Sequence, residues 1–228
     1  MRATAVIPVK RFAAAKQRLL EAVDPGGRAA IVGAMLADVL AALCEAEHLE
    51  RVIVVTAEKR AERIALAQAQ RMRMPLEVLR DPDDEGHSRA ATLGIVRAKA
   101  LGAEAAALLP GDCPLLEAGE LDRSLARMRP RCVAVIPDRH GTGTNGLLLC
   151  PADAIRPGFG EGSCERHLAR ARSAGHQAMR EEVDSLALDL DTPADLEALV
   201  AALSATRERA PRTTAELVRL GLMEGTAG

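Results

Sequence analysis

Short apolar runs alternate with longer amphipathic segments along the first 137 residues. The predicted strands occupy residues 4–9, 51–56, 76–79, 105–109 and 132–137. The runs at 51–56 and 132–137 have the hydrophobicity of strands that are buried on both faces. Between them, apolar residues recur at helical spacing in segments 28–46, 58–71, 88–99 and 117–128. Strands that alternate with helices indicate an α/β fold, with a mostly parallel sheet covered by helices on both faces.

The remaining sequence is less regular. The stretch GTGTNGLLLC predicts turn residues followed by a short strand, and the glycine-rich GFGEGS opens a helix at 164–173. LALDLDTPADLEALV predicts a strand that runs into a helix. Beyond about residue 204 the chain becomes polar, with room for a short helix at 214–220. We therefore expect a single domain over residues 1–203, followed by a polar C-terminal tail over 204–228.

Composition and charge restrict the function classes. The 228-residue chain has no Trp or Tyr and two Phe, so it lacks aromatic platforms for stacking nucleic-acid bases. A net charge of −2 argues against binding to nucleic acid or to an anionic membrane. The five cysteines are scattered, which suits free thiols in a reducing compartment. With no evident leader and no apolar run of membrane-spanning length, we expect a cytoplasmic protein.

Three carboxylates follow or interrupt apolar runs. Asp112 comes directly after the apolar run and Pro110-Gly111, while Asp189 and Asp191 alternate with leucines, which would place both on one face of a strand about 6–7 Å apart. Carboxyl ends of parallel strands meet at one edge, where Lys10 and Asp81 also fall. Oxygen ligands at an open edge suit Mg²⁺. The alternatives are that Asp112 satisfies a turn and that Asp191 assists a helix cap formed by the TPAD sequence.

The other polar motifs could bind anions. Lys10, Lys16 and Arg18 lie in a basic loop after the first strand, which suits a polyphosphate, although a solvated basic loop is the alternative. HGTGTNG formally contains GxGxxG, but a strand-like segment follows instead of a helix, so we reject a dinucleotide site. Thr142, Thr144 and Asn145 could instead hold a small anionic or hydroxylated ligand, and Ser163 is expected to cap a helix whose positive end attracts phosphate or carboxylate. Two ordinary glycine turns are the alternative.

Cys164 and His167 lie one helical turn apart in the helix that Ser163 is expected to cap. Cys164 and His167 could begin a zinc site, but no second pair completes four ligands. We therefore interpret His167 as a phosphate contact or as a surface residue.

Taken in order, these motifs resemble a known family. Over residues 4–203, IPVKRFAAAKQRL, LPGDCPLL, GTNGLLL, FGEGSCERH and LDLDTPADL are similar to the CofC/FbiD guanylyltransferases of coenzyme F420 biosynthesis. The resemblance implies a glycosyltransferase-A-like nucleotidyltransferase fold. It also implies a reaction in which GTP and 2-phospho-L-lactate, phosphoenolpyruvate or 3-phospho-D-glycerate give a guanosine diphosphate-linked acid and pyrophosphate.

The resemblance also implies residue roles. Asp112, Asp189 and Asp191 would bind Mg²⁺, and Asp112 and Lys16 would be catalytic. The GTP phosphates would be bound by Lys10, Lys16 and Arg18. The phosphorylated acid would be bound by Thr144, Gly160 and Ser163.

The sequence departs from the family at one motif, and other functions stay open. Gly86-His87-Ser88 stands where the family tends towards Gly-Leu-Asn, in a region expected near the nucleotide. The residues alone also fit a sugar-1-phosphate or molybdopterin nucleotidyltransferase, a glycosyltransferase of the same fold, or a non-catalytic nucleotide-binding protein. The aliphatic helix faces are compatible with a homodimer.

Overall fold

The computed structural model describes residues 2–12, 23–81, 83–206 and 208–225. Its strands are β1 (Ala3–Val9), β2 (Leu49–Thr56), β3 (Leu76–Arg80), β4 (Ala106–Leu108), β5 (Cys132–Pro137), β6 (Thr144–Cys150) and β7 (Gln177–Arg180). Its helices are α1 (Pro25–Leu43), α2 (Lys59–Ala69), α3 (His87–Ala100), α4 (Ala118–Arg127), α5 (Ser163–Ser173), α6 (Pro193–Ala205) and α7 (Pro211–Arg219). The α/β class with a mostly parallel sheet is confirmed.

The seven strands form one sheet in which β6 is reversed. The strand order is β3-β2-β1-β4-β6-β5-β7. Neighbours pair in parallel except where β6 lies between β4 and β5, and there both pairings are antiparallel. The amino end of β6 therefore lies at the edge where the other strands end. Sequence-distant residues, at the end of β4 and the start of β6, become neighbours for this reason.

Helices cover both faces of the sheet and create two aliphatic cores. One core contains buried residues of α1, α2, α4, α6 and α7, and the other contains buried residues of α3 and α5. In β1, Ile7 faces the first core and Val6 the second, as strand alternation requires. Each fully buried aliphatic side chain of this size contributes about 1.5–3 kcal/mol. Burial on both faces explains the uninterrupted apolar runs.

Helix α1 is more apolar than the sequence analysis expected. The helix has 19 residues, and an 18-residue stretch of it has a mean hydropathy of 1.5. By length and composition it is therefore able to cross a membrane. Two thirds of that stretch is buried inside the protein. The physical reason is that α1 packs against α2 and α7 and shares the first core with β1 and β2, so apolar residues occur around most of its circumference.

Two segments differ from the predicted elements. Residues 186–190 form no strand: a 3₁₀ turn spans Asp184–Leu186, and an irregular segment leads to α6. A strand was not predicted at Gln177–Arg180, which forms the polar, half-exposed β7 at the sheet edge.

The C-terminal tail contains a helix that packs against α1. Helix α7 is longer than the predicted 214–220, and its Leu217 is fully buried. The buried carboxylate of Asp38 in α1 accepts hydrogen bonds from the Thr213 amide (2.7 Å) and hydroxyl (2.8 Å). Asp38 thereby supplies acceptors to a helix start that has no side-chain cap of its own. The boundary between domain and tail stays a prediction.

Candidate active site

A cavity of about 480 Å³ lies at the edge of the sheet where β1 and β4 end and β6 begins. Its floor includes Val9, Gly111 and Asn145, and two loops flank it. A larger cavity of about 750 Å³ lies at the opposite edge, lined by residues such as Arg2, His48 and Pro75. Ligands of open α/β sheets bind beyond the carboxyl ends of the strands, so the first cavity is the candidate site.

Three carboxylates line one side of this cavity. Asp112, from the loop after β4, and Asp189 and Asp191, from the segment before α6, reach it together. The structure therefore places the three acids selected from the sequence in the lining of one cavity. Among the described residues, no group of three His, Cys, Asp or Glu side chains is arranged closely enough to hold a metal ion.

The Asn145 side chain attaches the segment that carries Asp189 to β6, and two further donors support the same segment. The Arg139 amide donates to Ala187 O at 2.8 Å, and the Cys113 thiol donates to Leu186 O at 3.5 Å. The buried Asn145 amide donates to the carbonyl oxygens of Leu186 (2.9 Å) and Ala187 (3.2 Å). It also donates to the Asp189 carboxylate at 3.2 Å. The irregular segment thus gains from Asn145 the hydrogen bonds that a strand partner would otherwise provide. Asn145 was proposed from the sequence as a ligand contact, and the structure assigns it this bracing role.

The helix cap beside Asp191 involves other side chains. Thr192 and Asp195 form a capping box at the start of α6, with Pro193 in the first turn, as the TPAD pattern predicted. Asp191 contributes its backbone amide, which donates to Asp195 at 3.0 Å. The Arg139 guanidinium pairs with the same carboxylate at 2.6 Å. The Asp191 side chain lines the cavity.

Thr144 lines another part of the cavity and is backed by buried polar groups. Ser163 donates to the Thr144 hydroxyl at 3.0 Å, and His167 Nδ1 lies 3.1 Å from the same oxygen. Ser163 is the first residue of α5, after Gly162 at the N-cap, and forms no side-chain cap; the expectation that it caps the helix was wrong. Its hydroxyl instead serves Thr144, and it is fully buried behind the cavity lining.

His167 is fully buried, so its interpretation as a surface residue was wrong. Its Nε2 accepts a hydrogen bond from the Gly158 amide at 2.9 Å. Burial, with smaller contributions from Arg170 and Arg166, lowers the pKa of His167 to about 4. His167 is therefore neutral near pH 7 and contacts Thr144 rather than lining the cavity.

The glycine-rich loop contributes backbone to the cavity. Gly160 lines it with φ of 111°, and Gly162 starts α5 with φ of 65°, both conformations that favour glycine. The amides of Ser163 and Cys164 already donate to the carbonyls of Gly160 (3.0 Å) and Thr142 (3.1 Å). The start of α5 is therefore less available to an anion than the sequence suggested.

The departure from the family motif also lies at the cavity. Gly86, His87 and Ser88 line it together with Phe159. The His87 and Phe159 rings pack edge to face at 4.7 Å, and Ser88 Oγ accepts from the Phe159 amide at 2.9 Å. These contacts join the first turn of α3 to the glycine-rich loop, so a change at residues 87–88 alters the lining of the cavity.

The basic loop is described only in part. Lys10 lines the cavity, at the end of β1. Lys16 and Arg18 lie outside the described residues, so their predicted contacts with GTP phosphates stay predictions.

The sequence matches a known family over most of its length. The family described as "Guanylyl transferase CofC like" matches residues 3–210. The chain belongs to this CofC-like guanylyltransferase family. It is 43% identical over 218 residues to a phosphoenolpyruvate guanylyltransferase of Conexibacter woesei, covering 95% of each chain. It is 37% identical to a 3-phospho-D-glycerate guanylyltransferase of Phenylobacterium zucineum, again covering 95% of each.

Solved structures agree on the fold. A putative nucleotide-diphospho-sugar transferase from Desulfovibrio desulfuricans G20 superposes with a TM-score of 0.70, at 18% sequence identity and over 96% of this chain and 97% of that one. At this identity the likeness establishes the nucleotidyltransferase-like fold. Membership of the CofC-like family establishes a guanylyltransferase, and this confirms the resemblance seen in the sequence.

Proposed function

We propose that this guanylyltransferase transfers GMP from GTP to the phosphate of phosphoenolpyruvate, or of a closely related three-carbon acid, in coenzyme F420 biosynthesis. The observation that carries the choice of acid is the 43% identity to a phosphoenolpyruvate guanylyltransferase over nearly the whole chain. The identity to a 3-phospho-D-glycerate guanylyltransferase makes 3-phospho-D-glycerate the second candidate acid. The cavity of about 480 Å³ is within the usual size of small-molecule sites.

The proposed cofactor is Mg²⁺, held by Asp112, Asp189 and Asp191. The three carboxylates that line one cavity offer the hard oxygen ligands that Mg²⁺ prefers. They do not form a closed cluster among the described residues, but Mg²⁺ is usually held by one or two carboxylates together with waters and substrate phosphates. When bound there, the ion would neutralise negative charge where two anionic substrates approach each other.

The chemistry requires alignment rather than acid–base catalysis. An oxygen of the acceptor phosphate attacks the α-phosphorus of GTP, a new P–O bond forms, and the bond to the pyrophosphate leaving group breaks with its electron pair. No proton must move. We propose that Thr144 and Gly160 orient the acid, while Lys10, with Lys16 and Arg18, offsets the charge of the triphosphate and the leaving group.

Product analysis tests the proposal directly. The protein is mixed with Mg²⁺, each of the four nucleoside triphosphates and each of 2-phospho-L-lactate, phosphoenolpyruvate and 3-phospho-D-glycerate. Pyrophosphate release is measured, and the product is identified by mass. We expect turnover with GTP, highest with phosphoenolpyruvate, and loss of turnover when a chelator removes the metal. Turnover confined to sugar 1-phosphates, or GTP binding without any turnover, would contradict the proposal.

Asp112→Asn tests the role of the three carboxylates that line the cavity. The change keeps the side-chain shape but removes a charged ligand, so we expect kcat to fall about 100-fold or more with the fold intact. Asp153→Asn, which removes an exposed partner of Lys99, is the matched control and should leave kcat unchanged. An Asp112→Asn enzyme with the kcat of the wild type in Mg²⁺ would remove Asp112 from the proposed site.

Two further expectations concern the whole protein. We propose that it acts in the cytoplasm and forms a homodimer, and light scattering coupled to size-exclusion chromatography tests the second point.

A further inference from the structure

We propose that Thr144 is held as an obligate hydrogen-bond donor to an anionic oxygen of the phosphorylated acid, and that His167 is the positioning residue that fixes this role. The inference rests on the proposed function, because it concerns how the same cavity holds its acid. It assigns a task to the fully buried His167, which lies behind the cavity lining.

The Gly158 amide determines which nitrogen of His167 carries the proton. A backbone amide can only donate, and Gly158 donates to His167 Nε2 at 2.9 Å, so Nε2 must present its lone pair. In the neutral ring the proton then lies on Nδ1, which faces Thr144 Oγ1 at 3.1 Å. Because burial lowers the pKa of His167 to about 4, this neutral tautomer persists near pH 7. His167 therefore donates to Thr144.

A second donor occupies the remaining acceptor site of Thr144. The Ser163 hydroxyl donates to Thr144 Oγ1 at 3.0 Å, and Ser163 is fully buried. A hydroxyl oxygen has two acceptor sites and one donor proton. With both acceptor sites used on the protein side, the Thr144 proton is directed elsewhere, and Thr144 lines the cavity. A ligand group opposite Thr144 must therefore accept a hydrogen bond.

This constraint selects the chemistry of the ligand. An ionised carboxylate or phosphate oxygen is the strongest acceptor for a fixed hydroxyl donor. Such a group is what distinguishes a phosphorylated acid from a neutral sugar, whose hydroxyls form weaker bonds as acceptors. Fixing the donor before the substrate arrives also removes the cost of reorienting the hydroxyl on binding.

Steady-state kinetics with separate KM values tests the inference. Thr144→Val keeps the side-chain shape and removes the donor, so we expect the KM for the acid to rise about 10- to 100-fold, with the KM for GTP unchanged. His167→Leu should act in the same direction, and adding it to Thr144→Val should cause little further loss, because His167 acts through Thr144. Independent losses that multiply in the double variant would overturn the proposal.

Two comparisons separate positioning from a structural role. His167→Asn keeps a donor near the position of Nδ1 and should retain more acid affinity than His167→Leu. His176→Leu, beyond the end of α5, is the matched control and should leave both KM values unchanged. Equal increases in the KM for acid and for GTP in every His167 variant would indicate a structural role alone, which contradicts the proposal.

A measurement on the unmodified protein avoids any folding defect of the variants. Long-range ¹H–¹⁵N correlation spectra distinguish the two imidazole tautomers, and the chain has five histidines to assign. We expect His167 protonated on Nδ1 at pH 7, and a proton on Nε2 would overturn the inference. If the wild type turned over no acid, the proposed function would be wrong. This spectrum would still show which nitrogen of His167 carries the proton, and so whether His167 donates to Thr144.

Inhibition identifies which oxygen Thr144 contacts. Glycerol 3-phosphate lacks the carboxylate, and lactate lacks the phosphate. Thr144→Val should weaken inhibition by whichever compound carries the contacted group and spare the other. Unchanged inhibition by both compounds would contradict a direct contact between Thr144 and an anionic oxygen of the acid.

Discussion

Replacing a single heavy atom of the Asn145 side chain should disturb the site selectively. The sequence contains no other asparagine, and the amide of Asn145 donates to Leu186 O, Ala187 O and the Asp189 carboxylate. Asn145→Asp preserves shape and volume but replaces the donor nitrogen by an oxygen. We expect this variant to be less stable and to lose activity, because the segment carrying Asp189 loses its attachment to β6.

The magnitude follows from the number of acceptors affected. The side-chain nitrogen has two protons for three acceptors at 2.9–3.2 Å, so about two ordinary hydrogen bonds are lost. Ala187 O keeps the Arg139 amide as a donor and Leu186 O keeps the Cys113 thiol, so each lost bond costs about 0.5–1.5 kcal/mol, and the new carboxylate is also repelled by Asp189. We expect a loss of about 2–3 kcal/mol, a large fraction of the 5–15 kcal/mol typical of a folded domain.

The effect of pH distinguishes charge from shape. Burial, and next the neighbouring Asp189, should raise the pKa of the introduced carboxyl in the folded state above its unfolded value. The protonated carboxyl can still donate one hydrogen bond, so the loss should be smallest below the unfolded pKa and should grow as the pH rises through the folded pKa. Asn145→Ala, which adds no charge, should show a loss that changes little with pH.

Urea denaturation at several pH values from 4.5 to 8 measures both variants against the wild type. The m-values show whether unfolding exposes the same surface in each protein. The reasoning is refuted if Asn145→Asp lies within 1 kcal/mol of the wild type at pH 8, or if its loss of stability grows towards acid pH. Either result would mean that Asn145 does not brace the Asp189 segment.

Three other predictions concern packing and titration. Asp38→Ala leaves the buried Thr213 donors unsatisfied and should cost about 3–5 kcal/mol in urea denaturation. Gly94→Ala places a Cβ 2.2 Å from a β1 side chain and should cost at least about 1–3 kcal/mol, whereas Gly119→Ala, with its nearest contact at 3.7 Å, should be neutral or stabilising. Because the pKa of His167 is about 4 in the folded state against an ordinary 6.5, the unfolded chain binds the proton first. The contribution of His167 to stability should therefore fall by about 3 kcal/mol between pH 7 and pH 4, and the pH profile of His167→Asn should lack that contribution.

The central strands could be predicted because burial on both faces produces a run of apolar residues in the sequence. Residues 51–56 and 132–137 are uninterrupted apolar runs, and both lie within the strands of the structure. Apolar content does not encode direction, however. The run LLLC in β6 is as apolar as the strands that pair in parallel, although β6 is antiparallel to both of its neighbours, β4 and β5. The reversal that brings Thr144 to the site is a property of the topology.

Two segments without such an apolar run were predicted wrongly: the strand β7 was not predicted, and residues 186–190 were predicted to be a strand. β7 is polar and pairs at one edge, with β5, so its sequence has no apolar run to detect. Residues 186–190 alternate like a strand, but the Asn145 side chain supplies hydrogen bonds that a neighbouring strand would provide. His167 did leave a signal: it lies one turn after Ser163 and one turn before Ala171, both buried on the same face of α5. That spacing predicts a buried histidine, which must be hydrogen-bonded.

The first two residues of β6 connect the two sides of the cavity. Adjacent residues of a strand point to opposite faces, so Thr144 contacts Ser163 and His167 of α5, while Asn145 contacts the Asp189 segment. If Thr144 orders the side of the cavity next to α5 and Asn145 orders the side that carries Asp189, the effects of substituting the two residues should be separable. Thr144→Val should change the KM for the acid, whereas Asn145→Ala should raise the concentration of divalent metal needed for activity. Since the residues act on different partners, their effects should add in the double variant, and a strong departure from additivity would show that the two sides form one coupled unit.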